Sequence, residues 1–122
     1  KAARPFNTLF EAYDAWYERE PGCSLFEIEA AALKEMMPNM SGTIIEIGVG
    51  SGRFAQFLEI PYGLDPALQP LRIAKRRGIR SVAADAVLMP FRDGEISCCL
   101  LMVTLCFVAD PLKVLKEVFR IL

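Results

Sequence analysis

The sequence predicts an α/β fold in which a mostly parallel, doubly wound sheet carries helices on both faces. From residue 44 onward, short apolar or β-branched runs alternate with segments of helical periodicity, the pattern of βαβ units. The run ISCCLLMVT at 96–104 is apolar without alternation, as in strands covered on both faces. Three successive strand ends carry a glycine cluster, Asp65 and Asp85, and such sheets bind ligands beyond the carboxyl ends of their strands.

The elements follow in order. FNTLFEAYDAWYER at 6–19 spaces apolar and aromatic residues three and four apart, so an amphipathic helix is expected, broken near Asp14. After Pro21-Gly22, Ser24 is expected to cap a second helix, LFEIEAAALKEMM, in a capping box with Glu27; it ends before Pro38. A turn at 40–43 leads to a strand at 44–47, a helix from Arg53 to Leu58, and a strand from Pro61 ending at Asp65. A helix at 70–77 follows, with Pro70 tolerated only in its first turn and Gly78 at C′. The third strand spans 79–84, and a loop, VLMPFRDGE, leads to the fourth at 96–104. Asp110-Pro111 supplies an N-cap and an N1 proline to a last helix with Leu112, Leu115, Val118, Phe119 and Leu122 on one side.

With 122 residues, 53% of them hydrophobic, one domain is expected, with an N-terminal helical appendage at 1–43 on a core at 44–122. A formal net charge of −1 proposes neither nucleic acid nor an anionic membrane as partner, and the basic run Lys75, Arg76, Arg77, Arg80 reads as a solvated helix end. No apolar run reaches the roughly 18 residues of a membrane span, and no leader pattern opens the chain, although Lys1 in place of Met leaves its true start open. A cytoplasmic setting is expected. The four cysteines lack CxxC spacing and read as reduced core thiols without a metal. Histidine is absent, which removes the commonest general base and the commonest metal ligand.

In IIEIGVGSGRF, Gly48, Gly50 and Gly52 bring backbone amides close to a ligand at the start of a helix. A pyrophosphate fingerprint would need a glycine where Arg53 stands. Glu46, two residues before the first glycine, disfavours a pyrophosphate and favours a cationic group, while Asp65 is placed for a ribose diol. Singly, the loop reads as a turn, and Asp65 and Asp85 as helix caps. Their joint order along one chain carries the inference.

From Ile44 onward the sequence resembles the class I S-adenosylmethionine-dependent methyltransferases. EIGVGSG is similar to their motif I, YGLDP to the ribose-binding motif, and AADAVLMPFRDGEIS to their D-A-x-x-L-P-F-x-D pattern. YDAWYERE is similar to the lid helix of small-molecule members. The resemblance implies a Rossmann-like fold and S-adenosyl-L-methionine as cofactor, held by Glu46, Gly48, Val49, Gly50, Gly52, Asp65, Pro66, Asp85, Ala86, Met102 and Val103. Tyr13, Trp16, Tyr17, Thr104, Leu105 and Cys106 are candidates for the acceptor pocket. Ser97 replaces an acid common in the family pattern, and Cys106 stands where many members have histidine; no catalytic residue is assigned.

The expected activity is methyl transfer to a small molecule by in-line displacement; the alternative is a non-catalytic cofactor-binding or interaction module of the same fold. A nicotinamide-dependent oxidoreductase is disfavoured by Arg53 and Glu46. The family's remaining C-terminal strands are missing from the sequence, so the fourth strand is expected to be an apolar edge. A fragment, or a second chain covering that edge as in a homodimer, is the expected explanation.

Overall fold

A computed structural model describes residues 3–37, 39 and 41–122, with side chains from residue 7 onward. Pro38 and Met40, in and before the expected turn, lie outside the described residues. Four strands, β1 (Ile44–Ile47), β2 (Tyr62–Asp65), β3 (Arg80–Ala83) and β4 (Cys98–Leu100), form a parallel sheet in the order β3-β2-β1-β4. The chain winds outward from β1 to β3 and then crosses back to β4, so the winding reverses beside β1 and its glycine loop.

Alternation along β1 divides the core. Ile45 and Ile47 join Leu64, Met89, Ile96, Val114 and Ile121 on one side of the sheet. Ile44 belongs with Val49, Ala55, Ile60, Leu71 and Ala74 on the other, and Glu46 shares its face by the two-residue period. Ile45, Ile47 and Leu64 are fully buried, each worth roughly 1.5–3 kcal/mol relative to exposure. The helices α3 (Arg53–Phe57) and α4 (Leu68–Arg76) contribute to the second cluster, and α5 (Pro111–Ile121) to the first.

Two helices precede the sheet, α1 (Ala3–Trp16) and α2 (Gly22–Met36). The α1 helix is fastened to α4 at both ends: Asn7 Oδ1 accepts from the Gln69 amide at 3.1 Å, and Asp14 meets Arg77. Phe26 of α2 packs between Tyr17 and Phe54, with ring centroids 5.8 and 5.0 Å away.

Several expectations need correction. The first helix runs unbroken through Asp14 and ends at Trp16. The second begins at Gly22, already closed by a bond from the Leu25 amide to the Pro21 carbonyl. Ser24 therefore lies inside its first turn and donates to Glu20 at 2.8 Å instead of forming the capping box. Gly22 is required there because a Cβ would stand 2.2 Å from the Trp16 carbonyl oxygen. The expected long fourth strand keeps only Cys98–Leu100, half-buried. Beyond it the backbone turns through Val103, at φ 52°, into a short 3₁₀ helix, Leu105–Phe107.

On α5, Asp110 caps as expected, accepting from the Lys113 amide at 3.1 Å. The helix buries Val114 and Ile121, with Val118 packed beside them. Leu112, Leu115, Phe119 and Leu122, expected on the same side as Val118, are exposed instead. Cys106 is exposed, so it is no core thiol. Arg77 is no solvated helix end, because Asp14 and the Ser51 carbonyl take up its guanidinium. No helix among the described residues is long and apolar enough to cross a membrane.

Candidate functional site

The glycine loop turns from β1 into α3 along one wall of a pocket. Gly48, at φ 77°, must lack a side chain because a Cβ would stand 2.4 Å from the Thr104 hydroxyl. That hydroxyl donates to the Ile47 carbonyl at 2.9 Å, which ties the end of β1 to the turn after β4. Gly50, at φ 53°, has open space where its Cβ would be, which leaves its backbone free for close approach by a ligand. Gly52 serves packing: its missing Cβ admits Ala74 and Ile79 at 3.1 Å.

Two carboxylates stand at this wall. Glu46 is 2% exposed; the Ala55 amide bonds to its carboxyl, and its Oε2 has no hydrogen-bond partner. Burial raises its pKa, the Ala55 amide opposes the rise and Asp65 adds to it, with the result pushed up to about 8. Asp65, at the end of β2, is also raised by burial, against which the Ala67 and Gly50 amides act. They donate to its two oxygens at 2.8 and 3.0 Å, so its charge is held from both sides while each oxygen retains a lone pair.

The α1 helix supplies the opposite wall. Phe10, Tyr13 and Tyr17 line the pocket with Val103, Thr104, Phe107 and Val108. The Tyr13 and Tyr17 hydroxyls lie 3.1 Å apart, and burial, followed by that hydrogen bond, raises the Tyr17 pKa and keeps the phenol protonated. An ionic junction fixes the helix. Asp14 accepts from Ser51 at 2.5 Å, from Arg53 at 3.0 and 3.1 Å, and from Arg77 at 3.0 and 2.9 Å. Burial would raise the Asp14 pKa, but the bonds from Arg77, Ser51 and Arg53 outweigh it and hold the carboxyl at about 2. Arg53 also pairs with Glu18.

Of the residues singled out in the sequence, Glu46, Gly48, Val49, Gly50, Asp65, Pro66, Met102 and Val103 line this pocket together, with Tyr13, Tyr17 and Thr104. Gly52, Asp85, Ala86, Trp16, Leu105 and Cys106 are not in its lining. Trp16 stacks edge-on against Tyr17 at 5.0 Å instead. Asp85 is exposed at the start of the loop after β3, where its Oδ1 accepts from the Val87 amide at 3.1 Å, and Ala86 is buried in the core. The far limb of that loop hangs on α5: Glu117 accepts from the Met89 amide at 2.7 Å, and Arg120 donates to the Met89 and Phe91 carbonyls at 3.0 and 2.8 Å.

Sequence reasoning did not single out Phe10, Phe54, Pro70, Phe107 or Val108 as pocket residues. Phe10 could have been found, since it lies on the same helical face as Tyr13 and Tyr17 by its spacing. The Asp14 junction could not, because its partners lie 37 to 63 positions away.

Comparison with known proteins decides the family. A family model described as a methyltransferase domain matches residues 45–122. The chain belongs to the methyltransferase family. This methyltransferase chain is 40% identical over 111 residues to an uncharacterized protein of Mycobacterium tuberculosis, covering 91% of the chain and 39% of that relative. It is 35% identical over 117 residues to an uncharacterized protein of Methanocaldococcus jannaschii, covering 96% of the chain and 55% of that relative. Among solved structures, a SAM-dependent methyltransferase of Thermotoga maritima superposes with a TM-score of 0.85 at 34% identity, over 96% of the chain and 55% of the other. The chain thus spans 39–55% of these relatives' lengths.

S-adenosylmethionine is the expected cofactor of the methyltransferase, and the residues present fit it. The unpartnered Glu46 oxygen suits a cationic group, the open space at Gly50 admits close approach, and Asp65 retains acceptor capacity for hydroxyls.

Proposed function

We propose that this chain forms the cofactor-binding part of an S-adenosylmethionine-dependent methyltransferase that acts on a small molecule by in-line displacement. The observation that carries the reading is the unpartnered buried oxygen of Glu46 beside the open glycine loop. In this reading Glu46 holds the methionine part, the glycine loop lies against that part and the ribose with its Gly48, Val49, Gly50 and Gly52 amides already bonded within the protein, and Asp65 holds the ribose, while Asp85 and Ala86 serve the adenine from the third strand end. Residues 44–122 form the core and residues 1–43 the lid or appendage.

The cofactor supplies an electrophilic methyl group when bound. What remains for the protein is alignment and exclusion of water. Phe10, Tyr13 and Phe107 offer an apolar, aromatic wall for a small acceptor, and Tyr17, kept protonated, orients it as a hydrogen-bond donor, directly or through Tyr13.

A covering partner belongs to the same proposal. Among the described residues β4 pairs only with β1, and Phe119 on α5 is 85% exposed. A second copy, or a further segment of polypeptide, covers this region. A dimer in light scattering supports the second copy, and a monomer at high concentration rules it out.

Isothermal titration calorimetry with S-adenosylmethionine and S-adenosylhomocysteine tests the main reading, with NAD as control. Saturable binding of the first two, lost in Asp65→Ala and absent for NAD, is expected. A folded protein that binds neither overturns the reading.

A further inference from the structure

We infer that this site exchanges a proton for a cation: Glu46 is a carboxylic acid in the ligand-free protein and a carboxylate when the positively charged methionine part of S-adenosylmethionine lies against it. The inference rests on the methyltransferase reading above.

The geometry carries it. Glu46 is 2% exposed and the Ala55 amide bonds to its carboxyl, while Oε2 has no partner among the described residues. An ionised carboxylate so placed lacks both water and a counter-ion, a state that buried acids avoid by keeping their proton. Among the described residues the surrounding elements offer no cation to spare. From β2 comes Asp65, a second acid, and in register with Glu46 stand only Gly63 and Leu100. Arg53 of α3 lines the same pocket, but Asp14 and Glu18 of the α1 segment occupy its guanidinium. Tyr13 and Tyr17 turn their hydroxyls to one another, and Thr104 donates to the Ile47 carbonyl.

Asp65 differs, because the Gly50 and Ala67 amides donate to its two oxygens. The two acids of one wall therefore differ: backbone amides take up both oxygens of Asp65, whereas Glu46 keeps one oxygen without a partner until the ligand's charge arrives. The high Glu46 pKa, about 8, agrees with this difference. The exchange balances simply: the carboxyl O–H bond breaks, the proton passes to solvent buffer, and the carboxylate left behind faces the ligand's positive charge.

Titrating the protein with S-adenosylmethionine near pH 7 in buffers of different ionisation enthalpy measures the protons released. Most of one proton is expected from the native protein and none from Glu46→Gln. Methylthioadenosine, which lacks the charged amino-acid part, is expected to bind without release. Should Glu46→Gln fail to fold, the native protein still decides. Its affinity is expected to rise between pH 6 and 7.5, approaching about tenfold per pH unit. Binding without proton release, or equal release with methylthioadenosine or from Glu46→Gln, overturns the inference and leaves the methyltransferase reading standing. No binding at all by the folded protein overturns that reading as well.

Discussion

Asp14 on α1 and Arg77 at the end of α4, 63 positions apart, meet through two hydrogen bonds of 3.0 and 2.9 Å. The same carboxylate accepts from Ser51 and Arg53, so one side chain joins α1 to the glycine loop, α3 and α4. Both partners are largely shielded, the Asp14 side chain 15% and the Arg77 side chain 18% exposed. Removal of the acid leaves two guanidinium groups short of partners. Asp14→Ala is expected to lower stability by about 2 kcal/mol, measured by urea unfolding. Its carboxyl pKa is depressed from 3.8 to about 2, so the contribution is present above the higher value and lost as pH falls through the lower. The native protein and Asp14→Ala should therefore converge in stability toward pH 2.

Glu46 has the opposite sign. Its pKa rises from 4.5 to about 8 on folding, so the ligand-free protein loses stability as pH climbs through that interval. Glu46→Gln should flatten this slope and melt higher than the native protein above pH 8. Thermal melts across the range check it.

Gly48 and Gly50 should respond differently to one methyl group. Gly48→Ala drives a Cβ to 2.4 Å from the Thr104 hydroxyl, breaking the tie to β1, and is expected to unfold or severely destabilise the chain. Gly50→Ala meets nothing within 4 Å and should cost only about 1–2 kcal/mol for its left-handed backbone. It should nonetheless weaken cofactor binding strongly, because the methyl fills the open space. Circular dichroism and calorimetry on the pair separate the two effects.

Val103 is β-branched at φ 52° in the pocket wall, a conformation that strains such residues. It is half-exposed, so little burial is lost in Val103→Gly. That variant is expected to gain about 1 kcal/mol in stability, read by denaturant midpoint.

Arg120 and Glu117 suspend the loop after β3 from α5. Arg120→Ala should speed hydrogen exchange at the Met89 to Asp93 amides while leaving β1 and β2 protected.

The legible parts of this molecule were those written locally. The strand at Ile44–Ile47, the glycine loop and the Asp110 cap depend on neighbours within a few residues, and they stand where expected. The parallel sheet followed from alternation of elements. The shortness of β4 was hidden because its apolar run continues past Leu100, while Thr104, bonded to Ile47, takes the chain off the sheet. Similarly, nothing near Arg77 announced that an acid from the first helix would claim it. At the site, Glu46, Gly48, Gly50 and Asp65 of the pocket lining could be named in advance, whereas Gly52 and Asp85, named with them, lie outside it. Phe107 and Val108 of the opposite wall could not, since the turn that brings them there depends on an unusual backbone at Val103.

The clasp between Asp14 and Arg77 also sets an order of events during synthesis. Asp14 leaves the ribosome first, yet its partner follows only after 63 more residues, a wait of roughly 3–13 s at ordinary elongation rates. Until then the acid has only Ser51 and Arg53 to hold, the aromatic face of α1 lacks the completed α4 helix to rest on, and the nascent chain carries its pocket wall exposed.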